Sequence, residues 1–369
     1  RRARASAVGG QEIAQAASRS SATAVPRGQP MIAEATSGTS GFFPVPLAIM
    51  RPGTLAPVNL YVRIRAPAEF ALYKTGRARL SDETRQRLIE RGVSYLYVRK
   101  KDEDAYYAYV EDHIAEILKD GLLPTEDAWQ IVYRTSSRVM EDVFENPRSG
   151  RNIRRAHRMA EAAVYSVLND RAALWCMTAV ASHDYSTYTH CVNVCIFLVS
   201  ACRDVLDISE TATLNRVGLG GMLHDIGKSA IPEEILSKPG KLTPQEFEQI
   251  KEHPALGLDI VKCYMDVPRL AAQVILSHHE HFDGSGYPRG LAGEGIARVV
   301  RLATIIDVYD ALTTERPSAA AMASYDALAL MLDGMTGHFD VPMLRSFVEF
   351  LGPQELRTEP AAQRDASVV

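Results

Sequence analysis

The sequence predicts a mainly α-helical protein in which a small α/β or α+β module precedes a helical domain. Three observations carry that reading. From Asp102 onward, apolar residues recur three and four apart through residues 109–118, 131–143 and 160–180, the spacing that builds one face of a helix. No alternating strand pattern follows, and Pro232, Pro239, Pro244, Pro254, Pro268, Pro288 and Pro317 divide the remainder into helices and loops. Upstream of Asp102, short β-like runs at residues 60–64 and 93–98 flank a polar helical stretch at residues 81–92.

In chain order, residues 1–41 form a leader rich in Arg, Ala, Ser and Gly. The leader lacks the apolar segment of a secretory signal and is expected to be disordered, with Met31 as a candidate start. Residues 42–101 make the α/β module, whose helix Ser81 is placed to cap. That module holds no His, no Cys and no glycine-rich phosphate loop, so docking or regulation is its expected work. Residues 102–150 read as a helical connector, residues 151–352 as an all-α catalytic domain, and residues 353–369 as a polar, disordered tail. No internal repeat is visible.

A length of 369 residues suits two domains with terminal extensions. The formal net charge of -4 argues against a broad surface for DNA or RNA, while a local phosphate pocket stays open. Five cysteines (Cys176, Cys191, Cys195, Cys202 and Cys263) are odd in number and scattered, which fits reduced, buried thiols in the cytoplasm. Cys191 and Cys195 lie one helical turn apart, but no second pair accompanies them to make a zinc site. No uninterrupted apolar run is long enough for a membrane span.

The chemistry concentrates late in the chain. Of ten histidines, His190, His224, His253, His278 and His279 fall in one region that also contains Asp225, and Asp307 follows. Neutral imidazoles and carboxylates suit borderline divalent metals such as iron, manganese or zinc. His224 and Asp225 close an apolar helical run, His253 precedes a proline that marks an element end, and His278 and His279 finish another apolar run. Any one of these alone reads most simply as a satisfied core or surface histidine. Together, without a cation, they would leave many buried polar groups in need of partners.

The successive segments HDIGK at residues 224–228, IPEEILSKPGKLT at 231–243, IKEHPALG at 250–257, HHEHFDGSGYPRGL at 278–291 and DVYDALTTERP at 307–317 resemble the signatures of HD-GYP proteins. The resemblance spans residues 184–352. It implies an HD-type helical bundle that hydrolyses cyclic di-GMP to pGpG and on to GMP. Two divalent metal ions, iron or manganese, are implied, with a hydroxide bridging them. One ion would take His190, His224, Asp225 and Asp307; the other would share Asp225 with His253, His278 and His279. Ser186 stands where some members place a third-metal glutamate, so two ions are expected.

By the same resemblance, Lys228 supports catalysis beside Asp225 as a compact cation. Gly284, Gly286, Tyr287 and Pro288 border the dinucleotide, Tyr287 by stacking on a base, and Asp310 and Arg316 lie near guanine and phosphate, Arg316 by forking onto phosphate oxygens. After Arg316 the chain departs from the family, with Ser318, Ala319, Ala320 and Ala321 where many members carry an aromatic and a basic residue. That departure keeps a non-catalytic cyclic di-GMP receptor in view, and the bare HD pair keeps a hydrolase for another nucleotide in view. The resemblance leaves room for a homodimer and for contacts with other cyclic di-GMP signalling proteins.

Overall fold

The structure, a computed structural model, describes residues 41–51, 53–65, 69–76, 79–169, 186–238, 240–315 and 320–352. The leader apart from Gly41, the C-terminal tail, Cys176 and Arg316 lie outside the described residues.

The N-terminal module is a four-stranded antiparallel sheet carrying one helix. Its strands are β1 (Phe42–Pro46), β2 (Leu60–Arg65), β3 (Glu69–Lys74) and β4 (Tyr95–Arg99), in the order β1-β4-β2-β3, with α1 (Asp82–Glu90) between β3 and β4. Ser81 caps α1 as its sequence promised, accepting the Thr84 backbone N–H at 3.2 Å. On edge strand β1, the flanking bonds from Lys100 N to Gly41 O and from Leu47 N to Ser94 O put odd-numbered residues in the ladder with β4. Pro44 and Pro46 therefore occupy outward positions, where a missing N–H disturbs no pairing. The inward residues Val45, Leu96 and Val98 are fully buried.

Helices α2 (Glu103–Lys119), α3 (Thr125–Glu145) and α4 (Gly150–Asn169) follow. The sheet is fastened to them at two places: Phe43 meets Tyr106 edge to face at 5.4 Å, and the Tyr95 hydroxyl donates to Asp127 Oδ2 at 2.7 Å. Arg155 of α4 binds Glu111 of α2 through Nε and Nη2, and Asp142 of α3 through Nη1, so one guanidinium joins three helices.

The remaining helices are α5 (Thr187–Asp204), α6 (Thr211–Leu223), α7 (Glu233–Leu236), α8 (Pro244–Ile250), α9 (His253–Lys262), α10 (Arg269–Ser277), α11 (Arg298–Thr313), α12 (Ser324–Ala329) and α13 (Val341–Leu351). Helix α5 is buried on every side from His190 to Cys202. An α-helix with no polar face must be surrounded, and α3, α4, α6, α11 and α13 pack around it. Ser186 caps α5 in a reciprocal box with Thr189, so the position that some HD-GYP proteins give to glutamate serves here to start the helix.

The structure adds two strands to those named from the sequence and corrects one thiol. Strands β1 and β3 were not readable, because β1 (FFPVP) carries prolines and β3 (EFALYK) lies on a half-exposed edge without clean alternation. Cys263 ends α9 in an exposed position, whereas Cys191, Cys195 and Cys202 are buried thiols as expected. Among the described residues, no helix is long and apolar enough to cross a membrane.

Candidate metal centre

The centre is assembled largely from helix ends. His224 closes α6, Asp225 begins a 3-10 turn (Ile226–Ala230), His253 opens α9 just before Pro254, and His278 closes α10. His190 and Asp307 come from the interiors of α5 and α11. A close backbone approach brings two of these ends together. A Cβ on Gly227 would lie 1.9 Å from the His253 carbonyl oxygen, and Gly227 also faces Gly257 across the same contact. No other residue allows the Asp225 turn to reach the start of α9.

His190, His224, Asp225, His253 and His278 are all essentially inaccessible, Asp307 is buried and His279 partly exposed. Their ligand atoms form two sets, His190–His224–Asp307 and Asp225–His253–His278–His279, with the atoms of each set within 4.8 Å of one another. Asp225 joins them: its Oδ1 is 3.2 Å from His253 Nε2, and its Oδ2 is 3.5 Å from His224 Nε2 and 3.7 Å from His190 Nε2.

The protonation pattern follows from what the outer ring nitrogens touch. Nδ1 of His224 donates to the Gly221 carbonyl at 2.8 Å, that of His253 to Ile250 at 2.7 Å, and that of His278 to Ile275 at 3.0 Å. His190 Nδ1 donates to Asp310 Oδ2 at 2.6 Å. A carbonyl or carboxylate can only accept, so each Nδ1 carries hydrogen and, in the neutral ring, each Nε2 turns a lone pair inward. The Nε2 atoms of His253 and His278 then face each other at 3.2 Å. Asp225 Oδ1 and His224 Nε2 have no hydrogen-bond partner among the described residues. A buried carboxylate oxygen left bare in this way, such as Asp225 Oδ1, costs several kcal/mol unless positive charge lies beside it. The donor set therefore fits divalent cations.

Charge is balanced differently on the two sides. Burial disfavours a charged His224, but Asp225 and then Asp307 outweigh it and push its pKa up to about 10. Burial likewise opposes charge on His190, and its bonds to Asp307 and Asp310 overcome that, raising its pKa. Burial and then neighbouring imidazoles hold His278 well below the usual range, and burial takes His279 down to about 3. Burial alone would raise the carboxyls of Asp225 and Asp307; nearby cations and ring N–H donors instead hold both well below the ordinary value. Half-buried Lys228 donates its ammonium to Asp225 Oδ2.

The loop after α10 is held from within. Buried Glu280 accepts Arg289 N at 2.9 Å and Leu291 N at 2.8 Å through its two oxygens. Gly286 presses against this loop itself: a Cβ there would lie 2.2 Å from His281 N. Gly284 adopts φ +84°, so both glycines are required by the loop's own path. Tyr287 stacks on His279, ring centroids 4.7 Å apart and 27° between planes, while Pro288 is exposed. Asp310 is placed differently from the expectation of a substrate contact. It is buried, with Oδ1 accepting from Asn193 Nδ2 at 2.9 Å and Oδ2 accepting from His190, so neither oxygen is turned to a ligand. Asn193 and Glu280 escaped the sequence reading, which considered Cys191 only as a partner for Cys195. Cys191 Sγ lies within 4.8 Å of the His224 and Asp225 ligand atoms, a placement that the odd, scattered thiols did not signal.

Residues 176–342 match the family model described as the HD domain. A cyclic di-GMP phosphodiesterase of Pseudomonas aeruginosa is 38% identical over 212 residues, 57% of this chain and 50% of that protein. A 3'3'-cGAMP-specific phosphodiesterase of Vibrio cholerae is 33% identical over 209 residues, 53% of this chain and 44% of that protein. The chain thus spans about half the length of these curated relatives. Among solved structures, an HDG"Y"P protein from Bdellovibrio bacteriovorus superposes with TM-score 0.58 at 20% identity, covering 85% of this chain and 100% of that one, a likeness of fold. The HDIGK turn, the paired histidines and the GYP loop all stand inside residues 176–342, the region that is similar to the HD domain family.

Proposed function

We propose that the protein is a metal-dependent phosphodiesterase that opens cyclic di-GMP to pGpG and cleaves this further to GMP. The observation that carries the reading is the facing Nε2 atoms of His253 and His278 beside the unpartnered Asp225 Oδ1. His190, His224, Asp225 and Asp307 would hold one divalent ion, and Asp225, His253, His278 and His279 a second, iron or manganese in each place. When bound, such a pair of ions acidifies water and neutralises the oxygens of an in-line phosphoryl displacement.

The chain's own residues do the rest. Lys228, already on Asp225 Oδ2, holds a cation at the rim where a phosphate arrives. Tyr287, braced on His279, offers a ring edge against a base, and Glu280 fixes the loop that carries it. Arg316 would fork onto phosphate oxygens. Asp310 orients His190, which leaves guanine recognition to other groups. A cytoplasmic setting, as a homodimer or beside other cyclic di-GMP signalling proteins, agrees with this role.

The test is turnover of cyclic di-GMP by protein purified without oxygen and loaded with Fe2+ or Mn2+. Conversion to pGpG that disappears in Asp225→Ala is the expected result; intact cyclic di-GMP, with both metals verified as bound, defeats the proposal and leaves a receptor. The similarity to a 3'3'-cGAMP-specific enzyme favours including that dinucleotide, and a large preference for it would move the substrate assignment without touching the chemistry.

A further inference from the structure

Behind His190 runs a buried chain of hydrogen bonds that leaves the centre and ends on helix α3. His190 Nδ1 donates to Asp310 Oδ2 at 2.6 Å, Asn193 Nδ2 donates to Asp310 Oδ1 at 2.9 Å, and the Tyr133 hydroxyl donates to Asn193 Oδ1 at 3.0 Å. Tyr133, Asn193, Asp310 and His190 are 7%, 1%, 2% and 1% exposed. We infer that Tyr133, carried on the connector helix, is a positioning residue for the metal ligand His190, acting through Asn193 and Asp310. This rests on the metal-centre reading above.

The polarity of the chain allows one arrangement. The Asp310 carboxylate accepts twice, so it must meet a donor from Asn193 as well as one from His190. The Asn193 amide is thereby turned with its oxygen toward α3, where it needs a donor. A tyrosine hydroxyl at that place supplies one, and burial, with Asp310's charge second, raises the phenol's pKa and keeps it protonated. With the amide locked, Asp310 cannot swing away from His190, and the imidazole keeps its Nε2 aimed at Asp307 Oδ1, 3.0 Å off. Remove the hydroxyl and the amide oxygen is left buried without its donor, free to rotate and to loosen the carboxylate behind the ligand.

Tyr133→Phe keeps the ring and deletes the donor, so a purely packing role is left intact. Cobalt(II) serves as the probe, because its visible bands report the geometry of the site that it occupies. The metal-free full chain is titrated with Co2+ against a competing chelator. Two binding steps are expected for the wild type. Tyr133→Phe should weaken one step about 3- to 10-fold, and Asp310→Asn should weaken the same step about 10- to 100-fold, the range typical of lost outer-shell partners. The other step should stay unchanged, and the bands of the weakened site should shift. Asn193→Ser, which shortens the link without adding charge, should fall between the two. Two normal steps with unaltered bands in Tyr133→Phe overturn the inference and leave the metal centre standing. A wild type that takes up no Co2+ overturns both.

Discussion

At the scale of single residues, the centre depends on where protons sit before metal arrives. His224, raised to about 10, carries a proton at neutral pH in the metal-free protein, whereas His278 and His279, pushed down, do not; His190 is shifted in the same direction as His224. A ligand nitrogen must be bare, so uptake of cations at pH 7 should release the proton held by His224. The sign follows: apparent affinity rises as pH climbs from 7 toward about 10, where His224 is already half deprotonated. The stabilisation that the protonated His224 draws from Asp225 and Asp307 in the empty protein runs the other way, present at and below neutrality and lost as pH passes through about 10. Calorimetry of Mn2+ binding in buffers of different ionisation enthalpy should register release of about one proton per protein; a heat independent of the buffer would show that the His224 ring starts out neutral. Residue types and spacing were enough to nominate every member of this set. They could not reveal that Asp310 stands behind His190, because that contact joins α5 to α11 across residues that are far apart in the chain.

At the scale of elements, the informative feature is the junction at which α6 ends, a 3-10 turn begins and α9 starts. Gly227→Ala would place a methyl 1.9 Å from the His253 carbonyl, and one side must move. Because the obstacle is backbone, relief comes from shifting α9, and His253 goes with it. The expected outcome is a loss of about 1–3 kcal/mol in stability, together with loss of the ion proposed for His253, His278 and His279. Thermal melts and metal analysis on the same preparation check both halves; a variant with full metal content and an unchanged melt would show that the helix start is not pinned there. The helices themselves were legible from their three-and-four spacing and their capping residues. The strands at the two sheet edges were not, since prolines in β1 and half-exposed side chains in β3 erase the alternation that marks a strand. Glu280 was equally hidden: a glutamate beside a histidine pair reads as a polar loop residue until its carboxylate is found bonded to two backbone N–H groups.

At the scale of the molecule, the sheet and the helical domain share helix α3, which meets β4 at Asp127 and approaches the metal centre at Tyr133. The Tyr95–Asp127 bond is the polar part of that attachment, with Asp127 only 3% exposed. Tyr95→Phe leaves a buried carboxylate without its donor and should cost about 1–3 kcal/mol, seen as a lower urea midpoint at constant slope; an unaltered midpoint would mean that Asp127 finds another partner at no cost. That two-part architecture was readable from the switch in pattern near Asp102, while the bonds that join the parts were not, because each spans residues with no sequence relation. The outer border of the sheet has one further effect. Pro44 and Pro46 withhold amide hydrogens along the free side of β1, and both are buried, with Tyr106 and Tyr107 of α2 and Gln130 and Ile131 of α3 beside them. That border is closed by the protein's own helices and asks for no further strand, so the side of the sheet left open to a neighbouring polypeptide is the half-exposed β3.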